Sequence, residues 1–372
     1  MSLALAAATL AGPEAYAQSP DFHVYLAFGQ SNMEGGPRVN GVETPARLQV
    51  MQAVDCPGLN PPRTKGSWYT ANPPISRCTQ GPGIAYWFGR TLVDSLPANV
   101  RIGIINVAVA GCKIELFDKD TYQAYARDAE DWMIPMINEY GGNPYGRMVE
   151  VAKAAQRDGV IKGFLLHQGE SNNGDQQWPN KVKNIYDDLV AELKLDPGQV
   201  PLLAGELVNA DVNGATAGHN AIIAKLPGVL PNSHVISSKG LGNPTPDRLH
   251  FTAEGYKEFG RRYGAAMLTL LAKAPTGTRP ATASPGYFLG QAPQLRPNGR
   301  AAFAFGTPRR GFVSLKAYDA EGRVIAELAG KEYPAGSHAV VFGRKGLPAG
   351  FSFLRMEAGG FAATRRIFLG AE

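Results

Sequence analysis

The chain has 372 residues, 44% hydrophobic and 19% charged, with 37 Lys/Arg against 32 Asp/Glu. That length holds two domains with cores of their own, and the composition fits a soluble globular protein rather than a disordered one. A net charge of +5 is not a nucleic-acid signal without an accompanying motif, and no apolar run beyond the N-terminus is long enough to span a bilayer.

Leu3 to Leu10 are small and apolar, followed by Pro13 and the small-x-small triplet Ala15-Tyr16-Ala17. This predicts a secretory signal remnant over 1–17, cut after Ala17, or else a helical or disordered extension. The apolar run Val24–Phe28 then ends abruptly in Gly29-Gln30-Ser31-Asn32. A buried strand running into a glycine turn holds a hydroxyl exposed yet rigid, the placement a nucleophile needs, so Ser31 is the first candidate site residue.

Residues Met51–Gly83 read as one long Pro/Gly-rich loop. Export would permit cysteine oxidation, and Cys56 and Cys78 share this insertion, so a bridge between them would clamp it. Cys112 is left as a small buried residue. Trp68, Tyr69 and, further on, Trp178 offer flat faces suited either to sugar rings or to ordinary packing.

From His23 to Lys273 strand-like and helix-like runs alternate. Strands are predicted at His23–Phe28, Val100–Val109, Ile161–His167, Pro201–Leu207 and His234–Ser238, rich in Val, Ile and Leu as buried parallel strands are. Helices are predicted at Ile84–Leu96, Tyr145–Arg157, Lys181–Leu193, Ala217–Ala224 and Thr252–Ala272. The alternation implies a parallel sheet covered on both faces, with function at the carboxyl ends of its strands, where Ser31, Gly111 and Gln168 all fall. Just before the last helix stands Asp247-Arg248-Leu249-His250. Three residues apart on a turn, Asp247 can reach one ring nitrogen of His250 and leave the other for Ser31, the nucleophile–base–orienter arrangement of acyl transfer.

Residues 274–285 have linker composition. Beyond them short alternating runs at Ala301–Phe305, Val313–Asp319, Val324–Leu328, His338–Phe342, Phe351–Glu357 and Phe361–Leu369 predict a small all-β sandwich over 286–372. Residues 285–372 carry 12 Lys/Arg against 6 Asp/Glu, so the basic excess belongs to this module.

Together, Gly29-Gln30-Ser31-Asn32-Met33, Gly81-Pro82-Gly83, Gly111, His167-Gln168-Gly169-Glu170-Ser171-Asn172 and Asp247-Arg248-Leu249-His250-Phe251 resemble the SGNH hydrolases. More narrowly they resemble carbohydrate esterase family 6, the acetylxylan esterases, and the related sialate O-acetylesterases. The resemblance covers roughly residues 22–272 and implies an α/β fold: a three-layer, flavodoxin-like α/β/α sandwich with a five-stranded parallel sheet, over 18–273. It implies Ser31, Asp247 and His250 as the catalytic triad. It implies an oxyanion hole of the Ser31 and Gly111 amides and a third donor, Gln168 with Asn172 behind it, where most SGNH enzymes have an asparagine in a Gly-x-Asn-Asp context. Asn32 stands as support beside the serine. Glu170 is a second carboxylate that could replace Asp247 or brace the loop behind it; the bracing role is favoured because Asp247 has the closer sequence relation to His250. The tail resembles immunoglobulin-like C-terminal secretion or sorting modules of bacteria, through Val313–Arg323 and Gly346–Arg355.

The expected activity is that of a secreted or cell-surface bacterial serine esterase removing O-acetyl groups from plant polysaccharide, foremost acetylxylan. The alternative substrates are sialate or broader acetyl-sugar esters. The alternative of another class is a non-catalytic carbohydrate-binding or surface-attachment protein. The expected partners are an acetylated poly- or oligosaccharide and, through the tail, the cell surface or secretion machinery, with no nucleic acid. The histidines lack metal-ligand spacing and no Gly-x-Gly-x-x-Gly follows a strand, so no metal or nucleotide cofactor is expected.

Overall fold

The structure is a computed structural model that describes residues 18–39, 41–242, 245–273, 287–289, 300–319, 322–343 and 350–369. The signal remnant expected over 1–17 and the linker expected over 274–285 lie outside the described residues. The chain divides at Lys273 into two compact units.

The first unit is built on a seven-stranded sheet. Its strands are β1 (Ser19–Gly29), β2 (Leu48–Met51), β3 (Trp68–Thr70), β4 (Arg101–Ala108), β5 (Gly159–His167), β6 (Leu202–Gly205) and β7 (Ser233–Ile236), in the order β3-β2-β4-β1-β5-β6-β7. All neighbours are parallel except β3, which runs antiparallel to β2. The five parallel strands expected from the sequence are present, and β2 and β3 enlarge the sheet. They escape a sequence reading because they are four and three residues long and flank a Pro/Gly-rich stretch, too short to show a period. The stretch expected to be a plain loop therefore contributes a strand, and it is tied by a Cys56–Cys78 disulfide with Cα atoms 5.5 Å apart.

Side chains along β1 point alternately to the two faces of the sheet. Val24, Leu26 and Phe28 enter a core with Met148 and Val182 from the helices Pro144–Ala155 and Trp178–Glu192. Tyr25 and Ala27 enter a second core with Phe88 and Phe259 from the helices Ile84–Ser95 and Ala253–Lys273. Covering both faces explains why β1 is apolar at every position from Val24 to Phe28.

In the second unit, β10 (Gly311–Tyr318), β11 (Val324–Tyr333), β13 (Gly350–Ala358) and β14 (Phe361–Leu369) form an antiparallel sheet. The strands β8 (Phe288–Leu289), β9 (Arg300–Thr307) and β12 (Gly336–Gly343) form another. Val313, Leu315 and Ala317 alternate into a small core with Leu289, Phe305, Leu354 and Met356, so a period of two decides which face is buried.

Candidate active site

The site gathers at the carboxyl ends of β1, β4 and β5, the central strands of the sheet. β1 ends at Gly29, whose φ is +144°, and a Cβ there would stand 2.0 Å from the His167 carbonyl oxygen of β5. Only glycine allows so close an approach. The Gln30 amide donates to that same carbonyl at 3.1 Å, and the Val109 amide donates to the Gly29 carbonyl at 3.1 Å. The backbone entering Ser31 is thus gripped from both neighbouring strands. Ser31 opens a one-turn helix, Ser31–Glu34, and is half-buried. Leading amides of a helix have no partner within it, so the Ser31 N–H is not consumed by its own helix.

His250 Nε2 lies 2.8 Å from Ser31 Oγ, and its Nδ1 lies 2.7 Å from Asp247 Oδ2. Three side chains separated by up to 219 positions therefore form one hydrogen-bonded chain. The turn that does this passes through Arg248 in the left-handed region, φ +60°. Asp247 Oδ1 accepts from the Thr245 hydroxyl at 2.6 Å and from the amides of Leu249 and His250 at 2.8 and 3.1 Å. Burial pushes the Asp247 carboxyl up, but the hydrogen bonds from Thr245, His250 and Leu249 outweigh it and hold the group well below the usual carboxylate range. Asp247 is therefore an anion fixed on the imidazole. The next residue, Phe251, is buried edge-on against His167 and Phe259, which anchors the turn while His250 faces outward.

Asn32 ties the serine turn to the histidine turn. Fully buried, its Nδ2 donates to Glu170 Oε1 at 2.6 Å and to the Leu249 carbonyl at 2.9 Å, and its Oδ1 accepts from Tyr256 OH at 2.7 Å. Glu170 thus faces Asn32 through Oε1, with His167 Nδ1 3.6 Å away, and the carboxylate that contacts His250 is that of Asp247.

Gln168 does not fit the oxyanion role expected of it. Its side chain is fully buried, Nε2 has Asn172 Oδ1, Gln30 Oε1 and the Cys112 carbonyl within 2.7 to 3.2 Å, and Oε1 accepts from Trp178 Nε1 at 2.6 Å. Two amide hydrogens already face three acceptors, so none remains for a ligand. Asn172 is equally committed, donating to Glu115 at 3.0 Å and accepting from the Ile114 amide at 2.9 Å. Gly111 remains. Its φ is +72°, its carbonyl accepts from Ser171 Oγ at 2.8 Å, and the preceding Ala110 amide donates to Glu34 Oε2 at 3.0 Å.

Glu34 and its partner Arg77 carry no motif that would mark them. Glu34 Oε1 accepts from Arg77 Nε at 3.0 Å and Nη2 at 2.7 Å, and Arg77 Nη1 reaches Glu139 at 2.8 Å. Burial works against the Arg77 charge, but Glu34 more than offsets it. The disulfide delivers this arginine, since Arg77 precedes Cys78. The chain Arg77–Glu34–Ala110 fixes the turn that presents Gly111.

The aromatics expected to receive a sugar lie elsewhere. Trp178 is fully buried beneath the site, its indole N–H held by Gln168. Trp68 packs on Phe22 and donates to Asp158 at 2.9 Å, at the amino ends of β1 and β5, the wrong edge of the sheet. Tyr69, its neighbour on β3, is half-buried and accepts from the Thr64 amide at 2.8 Å. Cys112 is a free, buried thiol.

Among solved structures, a protein from Arabidopsis thaliana is similar at 20% identity and a TM-score of 0.50, with 68% of this chain and 99% of that one covered. NanS is similar at 16% identity and the same TM-score and coverage. A carbohydrate acetylesterase from Xanthomonas citri aligns at 19% identity over 89% of this chain and 74% of its own, with a TM-score of 0.48. The first two likenesses concern the fold. Residues 21–269 match the family model described as carbohydrate esterase, sialic acid-specific acetylesterase. That span holds the serine turn, the Gly111 turn and the Asp247–His250 turn, and the chain belongs to this family of SGNH-type carbohydrate esterases.

Proposed function

We propose that this protein is a serine esterase that removes O-acetyl groups from plant cell-wall polysaccharide, foremost acetylxylan, by an acyl-enzyme mechanism. The observation that carries the reading is the chain of contacts from Asp247 through His250 to Ser31, at 2.7 and 2.8 Å. Ser31 Oγ attacks the acetyl carbonyl while His250 Nε2 takes its proton, and the same proton passes to the departing sugar oxygen. An acetyl ester on Ser31 results. Water then attacks that ester, again giving a proton to His250, and acetate leaves as the proton returns to Ser31. Asp247 holds Nδ1–H in place and balances the imidazolium in both halves. The negative oxygen of each tetrahedral intermediate is received by the Ser31 and Gly111 amides, each such donor contributing about 10²–10³ in rate.

The family match supports a second substrate, O-acetylated sialic acid. Comparing acetate release from acetylxylan and from O-acetylated sialic acid separates the two. Assignment to carbohydrate esterase family 6 in particular is proposed from the likeness of the Gly29–Met33 and His167–Asn172 blocks. Secretion is supported by the Cys56–Cys78 disulfide, a bond that persists in oxidising compartments. The basic C-terminal sandwich is proposed as the part that contacts the cell surface or export machinery. The esterase reading is tested with Ser31→Ala: acetate release should fall by at least about 10³-fold, and undiminished release would end it.

A further inference from the structure

We infer that Trp132 is the platform on which the sugar ring bearing the acetyl group stacks. Large exposed apolar side chains among the described residues of the first unit are Val39 and Trp132, and Trp132 is 56% exposed. The other tryptophans are buried or half-buried. Exposing an indole costs hydration free energy that packing would recover, so its position is informative.

That position is against the oxyanion glycine. A Cβ on Gly111 would meet Trp132 Cη2 at 2.3 Å and Cζ2 at 3.2 Å. The indole edge therefore occupies the space a side chain at 111 would take, beside the Gly111 amide and with its remaining surface in solvent. Among the described residues nothing accepts from the indole N–H, which is left to meet a hydroxyl. The backbone beneath is fixed. Met133 is buried, its amide donates to the Glu130 carbonyl at 2.8 Å, and Tyr125 OH, which accepts from the Lys113 amide at 3.0 Å, contacts Met133 Sδ at 3.7 Å. One end of the platform is thus pinned to the turn that carries Gly111. A flat apolar face with a polar tip suits a pyranose, which presents axial C–H groups on one face and hydroxyls at its rim.

The inference rests on the acetyl-sugar reading of the site. Its test compares wild type, Trp132→Ala and Trp132→Phe on an acetylated xylo-oligosaccharide, on O-acetylated sialic acid, and on ethyl acetate, which has no ring. For Trp132→Ala the kcat/KM ratio of the sugar ester to ethyl acetate should fall about tenfold or more, mainly through KM, as expected for a truncated aromatic anchor. Trp132→Phe, which keeps a ring, should recover most of the ratio. Equal losses on sugar ester and ethyl acetate would mean that Trp132 only shapes the Gly111 turn, and no loss on either would mean it is a bystander; both overturn the inference. If wild type releases acetate from neither sugar, the acetyl-sugar reading fails and this inference falls with it. The sugar whose ratio depends on Trp132 identifies the ring that stacks there.

Discussion

Removing Arg77 should damage this protein more than removing any exposed charge. Its carboxylate partner Glu34 has a side chain only 1% exposed, while Arg77 itself is 11% exposed, so water cannot replace the lost guanidinium. Arg77→Met leaves a buried carboxylate whose Oε1 retains only Gln80 Nε2 at 3.3 Å. Breaking such a buried pair from one side costs about 3–5 kcal/mol. The contact with Glu139 adds little, because that carboxylate is 39% exposed. The double variant Glu34→Gln/Arg77→Met removes both charges yet keeps an acceptor for the Ala110 amide, so it should recover most of the loss. Urea unfolding followed by circular dichroism measures the stability of each variant, and acetate release measures kcat. Arg77→Met should also lower kcat more than it raises KM, because the turn carrying Gly111 loses its brace. A cost below about 1 kcal/mol, or a double variant weaker than the single one, would refute the argument.

Asn32→Ala should cost at least about 2 kcal/mol, since it strips partners from Glu170, the Leu249 carbonyl and Tyr256 OH at once, and kcat should fall as the histidine turn loosens. Asn32→Asp should be worse in both urea midpoint and kcat, because it sets a second carboxylate against Glu170; a variant as stable as wild type would contradict this account. Burial pushes His219 down to about 4, and burial with the nearby Lys162 charge does the same to His23. Each binds its proton more readily unfolded, near 6.5, than folded. Their stabilising effect is therefore complete above about pH 6.5 and is lost as pH falls toward 4, at up to about 1.4 kcal/mol per pH unit for each. The slope of urea midpoint against pH in that window should shrink in His219→Gln, and an unchanged slope would remove His219 from the explanation.

What could be read from the amino-acid sequence was whatever is local. The run Val24–Phe28 shows its strand because both faces of β1 are covered, and Asp247 and His250 show their relation because one turn joins them. Position in the sheet was legible too, since Ser31 and Gly111 each follow a strand end. Polar bookkeeping was not. Gln168 stands where an oxyanion donor would, but whether its amide hydrogens are free depends on Gln30, Cys112 and Asn172, drawn from three segments. Arg77 meets Glu34 across 43 positions, with no pattern at either end. The aromatics failed for a related reason: Trp178 and Trp132 look alike as letters, and only packing puts one beneath the site and the other in solvent. Even the short strands β2 and β3 are defined by their hydrogen-bonded neighbours rather than by their own composition.

The absence of room for a side chain at residue 29 divides the catalytic unit into a stiff half and an adjustable one. The serine's location is dictated by the main chains of three adjoining strands, so it cannot drift unless the whole central layer shifts. The imidazole of His250 arrives on the bend that enters the helix Ala253–Lys273, and the indole of Trp132 arrives on the bend before the short helix Ile134–Glu139. Remodelling the bend that carries the indole would alter which ester is welcomed while leaving the serine oxygen where it is, so changes of preference among descendants of this chain belong in that bend and not in the layer beneath.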